Sequence, residues 1–234
     1  MITKILSSKL YSKWSNLLTE KFIDYFVNIQ IRNDYEPNRF HYFKNTKEIE
    51  VWGKIFDPYF KIIEQDEENN QLYPRVKTTT HTAFKYYAGE YSRLINGYLR
   101  YPTHYDNADL VQEHISIING EFEKNILHEN IVVVRKIRNH FIPKNIKNGT
   151  IITDNAFLST SLDLNYRKNY DGVLAPLNNE TLIFIKVERN TKAIYLEPIS
   201  KRDEYEMLLS PNVNLLVEKK YKIFSNQILF TRIV

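Results

Sequence analysis

The sequence predicts an α+β fold, with helices first and strands afterwards. Two observations carry this. Apolar residues recur every four positions through much of the first 130 residues, and beyond residue 130 the chain breaks into short runs rich in β-branched and aromatic residues. Composition agrees with a folded domain: 43% of the 234 residues are apolar and 26% charged, with only 6 Gly and 8 Pro. That length suits one domain, or one domain with an appendage.

Taken in order, Leu6, Leu10, Trp14, Leu18, Phe22 and Phe26 are spaced by four, with Leu17 and Tyr25 widening the stripe, which predicts an amphipathic helix over residues 4–28. Residues 31–63 mix aromatics with Pro37 and Pro58 and read as shorter helices. The polar run EQDEENNQ at 64–71, followed by Pro74, reads as a solvated loop and an internal boundary. It divides the chain into an N-terminal helical region, 1–75, and a second unit, 76–234.

From residue 83 the helical period returns through Tyr87, Tyr91, Ile95 and Leu99, with Gly89 and Gly97 as weak points. A further helix is expected over 108–118, extending past Gly120 toward Leu127. Strands are expected at 131–134, 181–187, 193–196, 205–209, 212–218, 221–224 and 227–234.

Several classes of function are excluded. The chain has no cysteine, so disulfides, thiolate zinc sites and cysteine nucleophiles are absent. The six His have no metal-ligand spacing, and neither a glycine-rich phosphate loop nor a nucleophile elbow is present. Residues 1–80 carry 12 Lys/Arg against 11 Asp/Glu, and 81–234 carry 20 against 17, so the net +4 is spread without a basic arm. A nucleic-acid partner is permitted by this balance without being suggested by it. No run has the roughly 18 apolar residues of a membrane span, and MITKILSSKLYSKWSN lacks the features of a signal peptide. Synthesis and action in the cytoplasm, of the producing or a recipient cell, are therefore expected, with no membrane partner.

Three segments of the strand-rich half can carry chemistry. Arg135 ends the run Ile131–Val134, and a guanidinium leaving a buried strand can hold a phosphate through its fork; taken alone, it reads more often as a rim arginine in a surface ion pair. Lys136 and Arg138 add positive charge nearby. Ser159, Thr160 and Ser161 end an apolar segment and can fix the rotamer of a neighbouring carboxylate, although such a tripeptide is commonly a turn or an edge strand. Glu204 and Glu206 flank Tyr205 ahead of Met207, Leu208 and Leu209. On a strand, the period of two would put both carboxylates on one face, where they could divide the stabilisation of an oxocarbenium ion and the handling of a nucleophile. The plainer alternative is a pair of solvated edge-strand charges.

Arginine, STS and ExE in this order resemble the mono-ADP-ribosyltransferase toxins of the Arg-Ser-Glu class, above all the enzymatic components of clostridial and bacillar binary toxins. The resemblance spans roughly residues 83–234 and includes Ile95-Asn96-Gly97-Tyr98-Leu99-Arg100, similar to the family's INxxLR helix ending. It implies a two-sheet β core with helices to one side, NAD as the substrate bound between the sheets, no metal, and 76–234 as the catalytic domain. Arg135 would hold the NAD phosphates, Ser159 would orient Glu206, Glu206 would stabilise the oxocarbenium-like transition state, and Glu204 would engage the nucleophile. Tyr87, Tyr91, Asn96 and Arg100 would line or brace the nucleotide site together with Thr160 and Ser161. In this family a Glu at the first ExE position goes with arginine targets.

Two departures bear on the target. Ser200-Lys201-Arg202-Asp203 stands where many relatives carry an aromatic, and residues 162–180 lack the family's Phe-x-x-Arg spacing, with Arg167 and Tyr170 as substitutes. The resemblance implies an arginine-specific mono-ADP-ribosyltransferase toxin or effector acting on a protein. Two alternatives stay open: the same chemistry directed to a nucleic-acid base or to water, and a catalytically silent binding module. The first 75 residues would cover the cleft, dock a target or meet a neutralising antitoxin-like partner.

Overall fold

The computed structural model describes residues 21, 25, 40–73, 76–105, 108–163, 179–223 and 225–234. Apart from positions 21 and 25, the stripe expected over 4–28 lies outside these residues, as do Arg167 and Tyr170. Helix α1 (Thr46–Gly53) starts where the Asn45 side chain accepts the Glu48 N–H. A 3-10 turn, Lys54–Phe56, leads into α2 (Asp57–Leu72), with Pro58 in its first turn.

The loop expected at 64–71 is instead the second half of α2. Its Glu and Gln residues are good helix formers, and burial of Phe60 and Ile63 earlier in the helix anchors the turns that follow. Gln71 donates to the Glu67 carboxylate one turn back, at 3.1 Å, and Glu67 also accepts the hydroxyls of Thr79 and Thr82, tying α2 to the start of the next helix.

Helix α3 (Thr80–Tyr86) is capped by Thr79 and runs into a π-helical segment, Tyr87–Tyr91, kinked at Gly89, before α4 (Ser92–Arg100). The expected helical period is therefore real but interrupted at the first of its two glycines. After a 3-10 turn at Pro102–His104, α5 (Asp109–Phe122) passes Gly120 but stops five residues short of Leu127.

Among the described residues eight strands follow: β1 (Ile131–Arg138), β2 (Ile151–Asp154), β3 (Leu158–Ser161), β4 (Glu180–Val187), β5 (Ala193–Tyr195), β6 (Glu206–Leu209), β7 (Val213–Ile223) and β8 (Asn226–Ile233). The runs expected at 212–218 and 221–224 are one strand, and β2 and β3 are additions to the expected runs. A short helix, α6 (Glu197–Ser200), lies between β5 and β6. The strand order is β2-β7-β8-β4-β1-β3-β6-β5, antiparallel throughout except for β4 beside β8.

One feature of this order creates the site. β1 pairs with β4 along its whole length but meets β3 at the single pair Val134↔Ser161. The sheet is thus a five-stranded part and a three-stranded part joined at one point, which is how the two-sheet core is realised. Beyond that pair the edges of β1 and β3 are released from each other and polar side chains can enter.

The run Ile131–Val134 is buried throughout because the sheet is covered on both faces here. Ile131 and Val133 join the large cluster under the helices, while Val132 and Val134 pack with Phe40, Phe184 and Phe230 on the opposite side. Ile49, Phe56, Phe60 and Ile63 of the N-terminal helices belong to the large cluster with Tyr195 and Tyr205. Gly53 is what lets α1 lie against β5: a Cβ there would stand 2.5 Å from the Tyr195 ring. No helix among the described residues is long and apolar enough to cross a membrane.

Candidate active site

Period-two alternation puts Arg135 on the face of β1 that carries Ile131 and Val133, beneath the helices and beside the opening between β1 and β3. Its Nη1 donates to the Ser159 carbonyl at 3.3 Å, and its Nη2 lies 3.8 Å from Asp154 Oδ2. The side chain is 19% exposed, enough for one edge to reach a ligand.

On the other lip, β3 and β6 are in register as Ser159↔Leu208, Thr160↔Met207 and Ser161↔Glu206. This brings Ser159 diagonally beside Glu206 on one face, and the Ser159 hydroxyl donates to Glu206 Oε1 at 2.5 Å. Glu206 is buried. Burial pushes its carboxyl up to about 7, and the charge of Glu204 adds to this, while the Ser159 hydroxyl, Arg202 and Arg135 pull the other way.

Thr160 and Ser161 have different roles. Thr160 is buried and gives its hydroxyl to the Met207 carbonyl. The Ser161 hydroxyl donates to the Glu204 carbonyl at 2.7 Å and accepts the Asp163 N–H. Of the three hydroxyls, only that of Ser159 meets a carboxylate of the ExE pair.

The expectation that Glu204 and Glu206 alternate along a strand is corrected. β6 begins at Glu206, and Tyr205 has φ +49°, so the chain turns between the two acids. Lys201 and Asp203 are left-handed as well, at φ +49° and +55°, and a non-glycine residue in that region costs on the order of 1 kcal/mol. The result is a tight loop whose Glu204 is half-buried at the lip while Glu206 lies inside. Burial raises the Glu204 carboxyl above the usual range, aided by Glu197 and opposed by Arg202.

The helical wall completes the constellation. Tyr87 is buried edge-on to Phe157, and its hydroxyl accepts from Asn96 Nδ2 at 3.0 Å. Burial and the charge of Glu206 raise the phenol well above its ordinary value; Asn96, Arg135 and Arg100 oppose the shift. Tyr87 is therefore within electrostatic reach of all three charged groups. Asn96 Oδ1 is buried with no hydrogen-bond partner among the described residues. Tyr91, at the far end of the π segment, is 45% exposed and rests edge-on against Tyr86.

Arg100 is committed to a partner that sequence reasoning missed. Its Nε and Nη2 donate to the two oxygens of Asp154 at 2.9 and 2.8 Å. Burial works against the Arg100 charge, but Asp154 outweighs it and the guanidinium is held above its ordinary range. Asp154 ends the four-residue strand β2, whose half-exposed IITD has no distinctive signal; only the fold carries it to Arg100 and Arg135. Among the described residues no group of His, Asp or Glu could hold a metal ion.

N-terminal helices with an eight-stranded mixed sheet match the fold of ADP-ribosyltransferases among the solved structures. The family model for the ADP-ribosyltransferase exoenzyme matches residues 64–228, and the chain belongs to that family. A search of curated proteins finds no match. Among solved structures, the C3 exoenzyme of Clostridium limosum is 18% identical with a TM-score of 0.60, over 83% of this chain and 97% of that one. C3stau2 of S. aureus, solved with NAD, is 14% identical with a TM-score of 0.60, over 83% and 98%. BECa, an ADP-ribosylating toxin of a binary enterotoxin of C. perfringens solved with NADH, is 16% identical with a TM-score of 0.63, over 84% of this chain and 50% of BECa. At these identities the likeness is one of fold.

Proposed function

We propose that this protein transfers ADP-ribose from NAD to an arginine side chain of a target protein. The observation that carries the reading is the pair of acids at two depths: Glu206 buried and held by Ser159, and Glu204 two residues earlier at the lip. In this reading Arg135 binds the NAD pyrophosphate, with Arg100, fixed by Asp154, bracing the wall beside it.

The bond that breaks joins C1′ of the nicotinamide ribose to the nicotinamide nitrogen, which keeps the electron pair. Glu206, ionised, faces the oxocarbenium charge that develops at C1′. A guanidinium nitrogen of the acceptor then bonds to C1′, and its proton passes to Glu204. Protonated guanidinium is a poor nucleophile, so a carboxylate at the lip, its basicity raised by burial, suits that task.

A second reading directs the same chemistry to a nucleic-acid base, supported by the exposed Lys201 and Arg202 beside Glu204. The deciding experiment incubates the protein and its Glu206→Gln variant with labelled NAD and a cell lysate. Glu206-dependent label that protease removes supports the protein reading, whereas label removed by nuclease supports the second. Absence of both label and nicotinamide release overturns both.

A further inference from the structure

The loop that carries Glu204 is conformationally improbable on its own. Three of its five residues, Lys201, Asp203 and Tyr205, are non-glycine residues in the left-handed region, and none belongs to a strand. Something outside the loop has to hold it. Glu197, the first residue of α6, presents both carboxylate oxygens to the loop's backbone: Oε1 accepts the Asp203 N–H at 2.8 Å and Oε2 accepts the Tyr205 N–H at 2.9 Å. These are the amides of two of the three left-handed residues, and they flank Glu204. A second tie comes from the side chain, because the Tyr205 hydroxyl donates to Glu50 Oε1 of α1 at 3.1 Å.

We infer that Glu197 is a positioning residue for the acceptor-facing acid, holding Glu204 at the lip by clamping the backbone amides on either side of it. The inference rests on the proposed role of Glu204 in transfer. Glu206 is held by other means: its hydrogen bond from Ser159 and the β3–β6 ladder. Loosening the clamp therefore separates the two acids functionally, impairing the transfer step while leaving nicotinamide release in place.

The test compares wild type with Glu197→Ala and Glu197→Gln, using poly-arginine as acceptor and water as the alternative acceptor. Glu197→Ala is expected to lower ADP-ribose transfer about tenfold or more while NAD hydrolysis stays within about threefold. Glu197→Gln keeps one acceptor oxygen and is expected to fall between the two. Equal loss of transfer and hydrolysis, or transfer unchanged, overturns the inference.

Amide hydrogen exchange supplies a readout that does not depend on the acceptor. Glu197→Ala is expected to speed exchange at Asp203 and Tyr205 about tenfold or more, with the β3 and β6 amides unchanged. Unaltered exchange at those two amides overturns the inference whatever the acceptor. Wild type that hydrolyses NAD but never labels poly-arginine would overturn the arginine reading instead, and the exchange result would then decide whether Glu197 holds the loop.

Discussion

Arg100 and Asp154 form a two-bond ion pair, Nε to Oδ1 and Nη2 to Oδ2, between the last turn of α4 and the end of β2. The pair lies beside Arg135, whose guanidinium is 3.8 Å from the same carboxylate. One acid thus orders two guanidinium groups. Asp154→Asn leaves Arg100 with a neutral partner and is expected to cost about 1–2 kcal/mol of stability, read as a lower denaturant midpoint. An unchanged midpoint would mean that the pair does not contribute.

Arg135→Ala removes the cation assigned to the pyrophosphate. NAD affinity is expected to fall about tenfold or more, measured by titration calorimetry. If affinity holds, the phosphates are bound elsewhere.

Glu206→Gln keeps the shape of the side chain and removes its charge. Nicotinamide release is expected to drop by about two to three orders of magnitude, with NAD affinity largely retained, because the lost interaction is strongest in the transition state. The same substitution bears on stability. The folded carboxyl titrates near 7 against an ordinary value of 4.5, so the folded state binds more protons between those two pH values and stability declines as pH rises through that window. The deficit, on the order of 3 kcal/mol above pH 7, is relieved in Glu206→Gln, which is expected to be more stable than wild type at pH 8 and similar to it at pH 4. Equal stabilities at pH 8 would contradict the buried titration.

Ionised Glu206 is the active form in the proposed mechanism. For nicotinamide release, kcat/KM is expected to rise with pH and level off above an inflection near 7. Because the Ser159 hydroxyl holds the Glu206 carboxyl down, Ser159→Ala is expected to move the inflection to higher pH. A downward move would mean that Ser159 donates elsewhere during catalysis.

Glu204→Gln separates the two half-reactions. Transfer to arginine is expected to fall sharply while slow hydrolysis of NAD persists, with label incorporation and nicotinamide measured in the same tube. Parallel loss of both would remove the division of labour between the acids.

Much of this molecule is legible without coordinates because the signals are local. The β-branched run Ile131–Val134 favours a strand, four-residue spacing marks α4, and Arg135, Ser159, Glu204 and Glu206 are visible as an ordered set. The acidic run 64–71 reads as a loop and folds as a helix, because polarity there reports solvation and not backbone conformation; good helix formers continue a helix begun by buried Phe60 and Ile63.

What only the tertiary structure decided depends on pairings across long stretches of chain. The β3–β6 register sets Ser159 against Glu206 and sends the Thr160 hydroxyl to a backbone carbonyl. The left-handed Tyr205 puts two acids at different depths where strand alternation would have put them on one face, because groups outside the loop, Glu197 eight residues before Tyr205 and Glu50 far from it in the chain, hold a conformation the local sequence disfavours. Asp154 reaches Arg100 only through the pairing of β2 with β7. Residue type and spacing therefore determined which chemical groups the protein possesses. Their distances, burial and charge were decided by register and packing, since a carboxylate titrates near 7 only once its surroundings exclude water.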